Sequence, residues 1–242
     1  MNRVSISAHK GGSEHASPAT YEAYKRSVVS GAEYVEFDIR RTLDDVLIVY
    51  HDARCAHDGP LIAETAYKDI CEKVNYEVPR VAEVMSLLAG KVIGHLDLKD
   101  IGYEDRVIRL ALDTFGPGNF VATTLEDVSV ARIKREFPQV RTALSLGRDL
   151  SEVPRYKWGS TRYSEVRPLR RLRACRSDWA AVNHRIGRKG ALDQCTKHGI
   201  KAMVWTVDDR ALIDRFITDP RVTVLITNRP EYAVRRRTEL VG

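Results

Sequence analysis

YVEFDIRRTLDDVLIVYHD, residues 34–52, contains two β-branched and aromatic runs, 34–40 and 46–52, separated only by Arg41-Thr42-Leu43-Asp44-Asp45. A parallel crossover consumes about a dozen residues or more. The two runs can therefore pair only as an antiparallel hairpin, turning near Asp44-Asp45. That reading settles the strand count. Seven further runs have strand character: 4–9, 92–98, 120–124, 141–146, 180–184, 201–207 and 222–227. Helical stretches alternate with them at about 19–30, 80–89, 103–115, 126–136, 188–198 and 209–217, with Gly or Pro marking several ends. Strand–helix alternation over 242 residues means a parallel sheet, either an eight-fold barrel or an open doubly wound one. Nine strands are one too many for the barrel, but with 46–52 set aside as the return arm of the hairpin, eight remain. The expected fold is α/β, a TIM (β/α)8 barrel with a small hairpin and insertion after the second strand, spanning 1–242 as one domain. Residues 53–78 read as an irregular excursion within an insertion region of 53–91.

The hairpin also makes a geometric prediction. Strand 34–40 climbs to the C-terminal rim and 46–52 runs back, so His51 returns to the rim where Glu36 and Asp38 emerge. Barrel enzymes place their chemistry on that face. Glu36 and Asp38 are two apart on a strand and point to one side, while Val35, Phe37 and Ile39 occupy the other. Asp97 and Lys99 repeat the pattern, with Leu96 and Leu98 opposite. Charges facing a barrel interior are costly unless a cation or hydrogen bonds compensate them. Three carboxylates at the ends of neighbouring strands suit Mg²⁺ or Ca²⁺ better than zinc. A structural ion-pair cluster would leave the same pattern. His9 ends the first strand and should reach the same rim. His95 points the same way as Asp97, one layer deeper or in support of it, and His184 ends a strand where it could contact substrate.

Composition narrows the classes. Hydrophobic residues make up 43% and charged residues 30%, which excludes a disordered chain, and no apolar run reaches the roughly 18 residues of a membrane span. Four cysteines without a CxxC pair are too few for a disulfide framework. With no apolar leader at the N-terminus, they point to a reducing, cytoplasmic setting. Cys55, His57 and Asp58 could suggest zinc, but three ligands crowded into four residues lack a fourth, and the preferred reading is a loop with an incidental thiol. The net charge of +6 is local: residues 148–176 hold nine basic side chains against three acidic ones, while 30 bases face 30 acids elsewhere. Such a stretch is a solvated face, an anion-attracting rim beside a site, or a nucleic-acid or membrane patch.

Several motifs fall in a recognisable order. They are His9-Lys10-Gly11, Glu14, Gly31-Ala32-Glu33-Tyr34-Val35-Glu36-Phe37-Asp38, Thr42-Leu43-Asp44-Asp45 and Val49-Tyr50-His51-Asp52. Val78-Pro79-Arg80-Val81-Ala82-Glu83-Val84, Leu96-Asp97-Leu98-Lys99, Val204-Trp205-Thr206-Val207-Asp208 and Leu225-Ile226-Thr227-Asn228-Arg229-Pro230 continue the series. Together they resemble the glycerophosphodiester phosphodiesterase family over nearly the whole chain. That family is a TIM barrel, in agreement with the strand count.

The resemblance implies a metal-dependent hydrolase that converts glycerophosphodiesters to an alcohol and glycerol phosphate. It implies that Glu36, Asp38 and Asp97 hold one divalent cation, Mg²⁺ or Ca²⁺. His9 and His51 would form the acid–base pair, Lys99 and Lys10 would neutralise phosphate oxygens, and Trp205 would line the glycerol pocket. Glu14 would support the first loop. The partner expected is a small phosphodiester, not a nucleic acid. In the family's route a neighbouring hydroxyl of the substrate attacks phosphorus and water then opens the cyclic intermediate.

Four positions depart from the family pattern. Lys10 replaces Arg, exchanging a fork for a point charge. Glu14 is followed by His15-Ala16-Ser17 rather than Asn-Thr. Asp97 stands where Glu is usual, and Thr227-Asn228 replaces the commoner Thr-Asp. The last two resemble the related phospholipase D toxins, so a lysophospholipase D activity with a cyclic product is the alternative enzyme. A basic binding module with a decayed site is the alternative from another class.

Overall fold

A computed structural model of the chain describes residues 3–56 and 58–242. Its strands are β1 (Ser5–Ala8), β2 (Tyr34–Arg41), β3 (Leu47–Val49), β4 (Ile93–Leu98), β5 (Phe120–Thr124), β6 (Arg141–Leu146), β7 (Trp179–Asn183), β8 (Lys201–Trp205) and β9 (Val224–Thr227). All but β3 run parallel, in the order β1-β9-β8-β7-β6-β5-β4-β2, and β1 pairs with β2 to close the barrel. The eight parallel strands and the extra antiparallel arm are those expected from residues 34–52.

Side chains alternate as the pleat requires. Val35, Phe37 and Ile39 face outward into the large core shared with the helices, together with Ile6, Leu96, Leu144, Val182, Val204 and Leu225. Inside, the lower layer is apolar: Tyr34, Val121, Ala143, Trp179, Met203 and Val224 pack on one another. The layer above is divided. On one side it carries the polar residues Ser7, Glu36, Asp38, His95 and Thr123, all buried. On the other it is finished by Ala181, Ile226 and Trp205.

Six helices stand close to where the apolar periodicity puts them: α1 (Tyr21–Ser27), α3 (Val81–Leu88), α4 (Glu104–Phe115), α5 (Asp127–Glu136), α9 (Leu192–Lys197) and α10 (Arg210–Ile217). The fifth of these stretches starts earlier than expected, because α8 (His184–Ile186) passes through a π-type turn, Gly187–Ala191, into α9. Four helices were not expected: α2 (Tyr67–Val74), α6 (Trp158–Val166), α7 (Leu169–Cys175) and α11 (Pro230–Val241). Residues 53–78 are therefore not wholly irregular. There α2 covers a small core of its own made by Ile48, Cys55, Ile62, Ile70 and Val78. Helix α3, the last part of region 53–91, instead belongs to the helical ring, its Val81, Val84, Met85 and Leu88 packed into the main core.

Candidate active site

The register of β2 builds the site. β1 pairs with β2 only at Tyr34 and Val35, whereas β3 pairs with it at Ile39, Arg40 and Arg41. Because β4 occupies the opposite edge from Tyr34 to Ile39, β1 and β3 must share one edge in succession. β1 rises and β3 descends, so the residues that follow each strand, His9 and His51, converge on the Glu36–Asp38 gap between them. The turn that makes this possible is held by Thr42, whose Oγ1 accepts from the Val46 N–H at 3.0 Å and donates to Asp44 Oδ1 at 2.6 Å. His51 is anchored from behind: its carbonyl accepts from Arg40 Nε at 3.0 Å, and Arg40 is clamped by both oxygens of Asp100.

The loop after β1 is equally specific. Lys10 takes a left-handed conformation (φ 52°, ψ 33°), uncommon for a residue with a side chain, which turns its N–H onto Glu36 Oε2 at 2.7 Å. Gly11 (φ +78°) is required by close approach, since a Cβ there would lie 3.0 Å from the backbone of Ala23 in α1. Glu14 does not enter the cavity. It receives the N–H groups of Glu231 and Tyr232 at 2.8 and 3.3 Å, satisfying two free donors at the start of α11 and tying the loop to that helix. This supports the loop without the Asn-Thr pair that usually follows.

Glu36, Asp38 and Asp97 each present a carboxylate oxygen, and the three lie within 4.8 Å of one another. Among the described residues no other group of three or more His, Cys, Asp or Glu could hold a metal ion. The zinc candidate at Cys55 and Asp58 includes His57, which lies outside the described residues, and Cys55, Cys71, Cys175 and Cys195 are free thiols. Both oxygens of Asp38 are fully buried and accept no well-aligned hydrogen bond, although Lys99 Nζ stands 2.7 Å from Oδ1 and Lys10 Nζ 3.8 Å from Oδ2. Burial alone would raise the Asp38 carboxyl. The charges of Lys99, His51, Lys10 and His9 outweigh it and hold the group below the usual carboxylate range. Glu36 is pushed well up by burial and by the neighbouring Asp38 and Asp97. Three convergent carboxylates against two ammonium groups leave a net negative set of oxygen donors, which fits a hard divalent cation. Asp97, one methylene shorter than glutamate, still reaches the group because Thr123 Oγ1 steers its Oδ1 at 2.6 Å while Lys99 holds its Oδ2 at 2.5 Å.

Three histidine ring protons follow from the hydrogen bonds. Asp208 receives the backbone N–H of Asn228 at 2.8 Å and its Nδ2 at 2.7 Å, which fixes the amide so that Oδ1 faces His9 Nδ1 at 2.8 Å. The proton must then sit on Nδ1, leaving His9 Nε2 as an acceptor at the cavity, 4.0 Å from Glu36. Burial lowers the pKa of His9, so the ring is neutral at neutral pH. In His95, burial pushes the pKa down to about 4. Thr123 spends its hydroxyl proton on Asp97 and so accepts from His95 Nε2 at 3.1 Å, while Nδ1 receives the Ser7 hydroxyl at 3.1 Å. His95 thus lies one layer below Asp97 and supports it. His51 Nδ1–H donates to Asp52 Oδ1 at 2.7 Å, and its Nε2 is the nitrogen left for chemistry.

His9, Glu36, His51, Asp97, Lys99 and Trp205 line one cavity of about 150 Å³. The chain belongs to the glycerophosphoryl diester phosphodiesterase family. The model of that family matches residues 9–232. A glycerophosphodiester phosphodiesterase from Caldanaerobacter subterraneus subsp. tengcongensis is 23% identical over 245 residues, covering 93% of this chain and 94% of the relative. Among solved structures, a glycerophosphodiester phosphodiesterase from Thermotoga maritima has 18% identity and a TM-score of 0.77, with 97% of this chain and 99% of that one covered. An Oleispira antarctica phosphodiesterase, solved with the product sn-glycerol-3-phosphate, has 16% identity and a TM-score of 0.75, covering 97% of this chain and 96% of that one. The fold is that of the family, and the protein is a phosphoric diester hydrolase.

Within that family barrel two expectations change. His184 lines neither this cavity nor the wider groove beside it, where Asn183 and Arg185 stand instead, and its Nδ1 is buried without a hydrogen-bond partner. Of the basic stretch 148–176, only Arg148 and Arg162 reach the groove, each held by a carboxylate, Glu126 and Glu165 respectively. Residues that sequence reasoning did not assign are Thr123, Asp208 and Asn228, which orient the ligands and His9. Asn228 was visible as a departure from the family pattern, but its partner Asp208 lies 20 residues away on another loop. No helix among the described residues is long and apolar enough to cross a membrane.

Proposed function

We propose that the chain hydrolyses glycerophosphodiesters to glycerol phosphate and an alcohol, with one divalent cation held by Glu36, Asp38 and Asp97 and with His9 and His51 as base and acid. The observation that carries the reading is the convergence of both histidines on a gap that contains two of the three carboxylates. When bound there, a divalent cation would neutralise phosphate charge and polarise the phosphorus–oxygen bonds. The chain's own residues do the rest. His9, neutral and with Nε2 unprotonated, takes the proton of the glycerol hydroxyl beside the phosphate, and that oxygen attacks phosphorus. His51, on the opposite side and entering as the imidazolium with its Nδ1–H held by Asp52, gives its Nε2 proton to the departing alcohol oxygen. The product of this step is a cyclic phosphodiester, which water opens with the two histidines in exchanged roles. Lys99 and Lys10 add positive charge beside the phosphate oxygens, and Trp205, its Nε1 tied to the Ala181 carbonyl at 2.9 Å, gives the glycerol a fixed apolar wall. The Oleispira neighbour's product, sn-glycerol-3-phosphate, is consistent with this choice of retained half.

The test is turnover of glycerophosphocholine, glycerophosphoethanolamine and lysophosphatidylcholine before and after chelation, followed by phosphorus NMR. Glycerol phosphate should appear from the first two, cease with EDTA and return with Mg²⁺ or Ca²⁺. Unchanged turnover in EDTA would remove the cation. Cleavage of the lysolipid alone, ending at a cyclic phosphate, would favour the lysophospholipase D reading.

A further inference from the structure

The catalytic cavity opens into a second, larger one of about 880 Å³. The two share His51, Lys99, Leu125 and Trp205, but His9 borders only the first. On the proposed function, on which this inference rests, the alcohol leaves from the side of the proton donor His51. The groove is therefore where the alcohol half of the substrate lies.

Its walls state what that alcohol should be. Leu125, Val166, Ile186 and Trp205 give it apolar surface, and Gly147 (φ +122°) lets the loop after β6 lie close against Asn183, whose Cβ a side chain there would meet at 2.3 Å. The charges are uneven. Besides Lys99, which Asp38 and Asp97 hold, Arg148, Arg162, Arg185 and Lys189 line the groove against a single carboxylate, Asp149, whose Oδ1 accepts the Ser151 N–H at 2.9 Å. Arg148 and Arg162 are neutralised by Glu126 and Glu165, each at 2.5 Å. Arg185 and Lys189 make no ion pair with any carboxylate among the described residues, and both are exposed in the groove. A cationic alcohol such as choline would meet two unneutralised positive charges against one unpaired carboxylate, Asp149. An anionic one would meet its complement.

We propose that Arg185 and Lys189 select glycerophosphodiesters whose alcohol carries a further negative group, a phosphate or a carboxylate. A phosphate suits the guanidinium fork best, since two of its oxygens can be bonded at once. Neither cation belongs to the basic stretch 148–176. Arg185 lies in α8 and Lys189 in the π-type turn that follows it, and their position in a cleft with apolar walls is where an electrostatic preference is largest.

Two matched substrate pairs test this, each differing by one charged group. Glycerophosphoinositol 4-phosphate against glycerophosphoinositol isolates the phosphate, and glycerophosphoserine against glycerophosphoethanolamine isolates the carboxylate. For at least one pair, kcat/KM should favour the charged member by roughly tenfold at low salt and less at high salt. In R185Q/K189Q that ratio should fall towards one, with an unchanged thermal midpoint showing that the fold is intact. Equal kcat/KM within both pairs would overturn the proposal, as would a preference that survives in the double variant or glycerophosphocholine outrunning all four. Failure to cleave any of the five would instead overturn the proposed function and the inference with it.

Discussion

The two sides of the barrel mouth are built on different terms. From β1 to β5 the side chains are held by named partners and all but His51 are largely shielded: Glu36 and Asp38 are buried, Asp97 is gripped by Thr123 and Lys99, His9 is oriented through Asn228, and the exposed His51 is held by Asp52. From β6 to β8 the barrel contributes Ser145, Ala181 and Trp205, and the loops above carry exposed cations. Rigid, desolvated groups do chemistry because their charges act at full strength and need no reorganisation. Exposed, long side chains discriminate among substrates at modest energy. The comparison predicts that substitutions on the first side lower kcat and those on the second alter KM and preference.

The largest effect should come from the histidines. His9→Ala and His51→Ala should each reduce kcat by roughly 10²–10⁴-fold, the range for a lost general acid or base, with circular dichroism unchanged. Near-normal turnover in either variant would take that ring out of the reaction and break the contrast between the two sides.

A smaller effect tests how His9 is oriented. In Asp208→Asn the new amide can donate to Asn228, whose own amide would then flip and present Nδ2 to His9. Nδ1 would have to accept, the proton would move to Nε2, and the base would be lost. A fall in kcat of roughly 10–100-fold is expected, as for other groups that fix a ligand's or catalyst's orientation. Adding Asn228→Asp should restore most of it, because a carboxylate beside Nδ1 again demands the correct tautomer. Purely structural damage at position 208 would not be rescued in this way.

The same contrast explains what could be read from the chain alone. The catalytic side is set by strand register, and register leaves a period-two imprint: Glu36, Asp38, Asp97 and Lys99 alternate with Phe37, Ile39, Leu96 and Leu98. One five-residue connection then fixed where His51 would land. The groove side left no such imprint. Helix α6 buries only Glu165 and α7 only Leu172 and Cys175, so neither shows an apolar stripe. Helix α11 was hidden for a related reason, since its buried face includes Arg237, which reaches Val4 O at 2.9 Å and Glu33 at 2.8 Å. The charge excess of 148–176 pointed to the correct side of the mouth but to few of the residues that matter, because Arg148 and Arg171 are neutralised by Glu126 and Asp127 elsewhere in the chain and Arg162 by Glu165 within the stretch.

Glu165 is where the two sides can be separated most finely. Buried on α6, it receives the N–H groups of Gly147 and Arg148 at 2.9 and 2.8 Å and the guanidinium of Arg162 at 2.5 Å. One carboxylate therefore shapes the loop after β6 and places two of the arginines that line the groove. Glu165→Gln keeps the volume but loses the charge, and hydrogen bonds to a charged acceptor exceed neutral ones by about 1 kcal/mol. With 242 residues this should lower Tm by roughly 2–4 °C. The groove would loosen while the carboxylates and histidines across the mouth kept their own partners, so KM should rise a few-fold, with kcat changing by less than about twofold. A fall in kcat as deep as that of Asp208→Asn would mean that the loop after β6 helps to align the reacting groups. The chemistry would then extend around the whole mouth of the barrel.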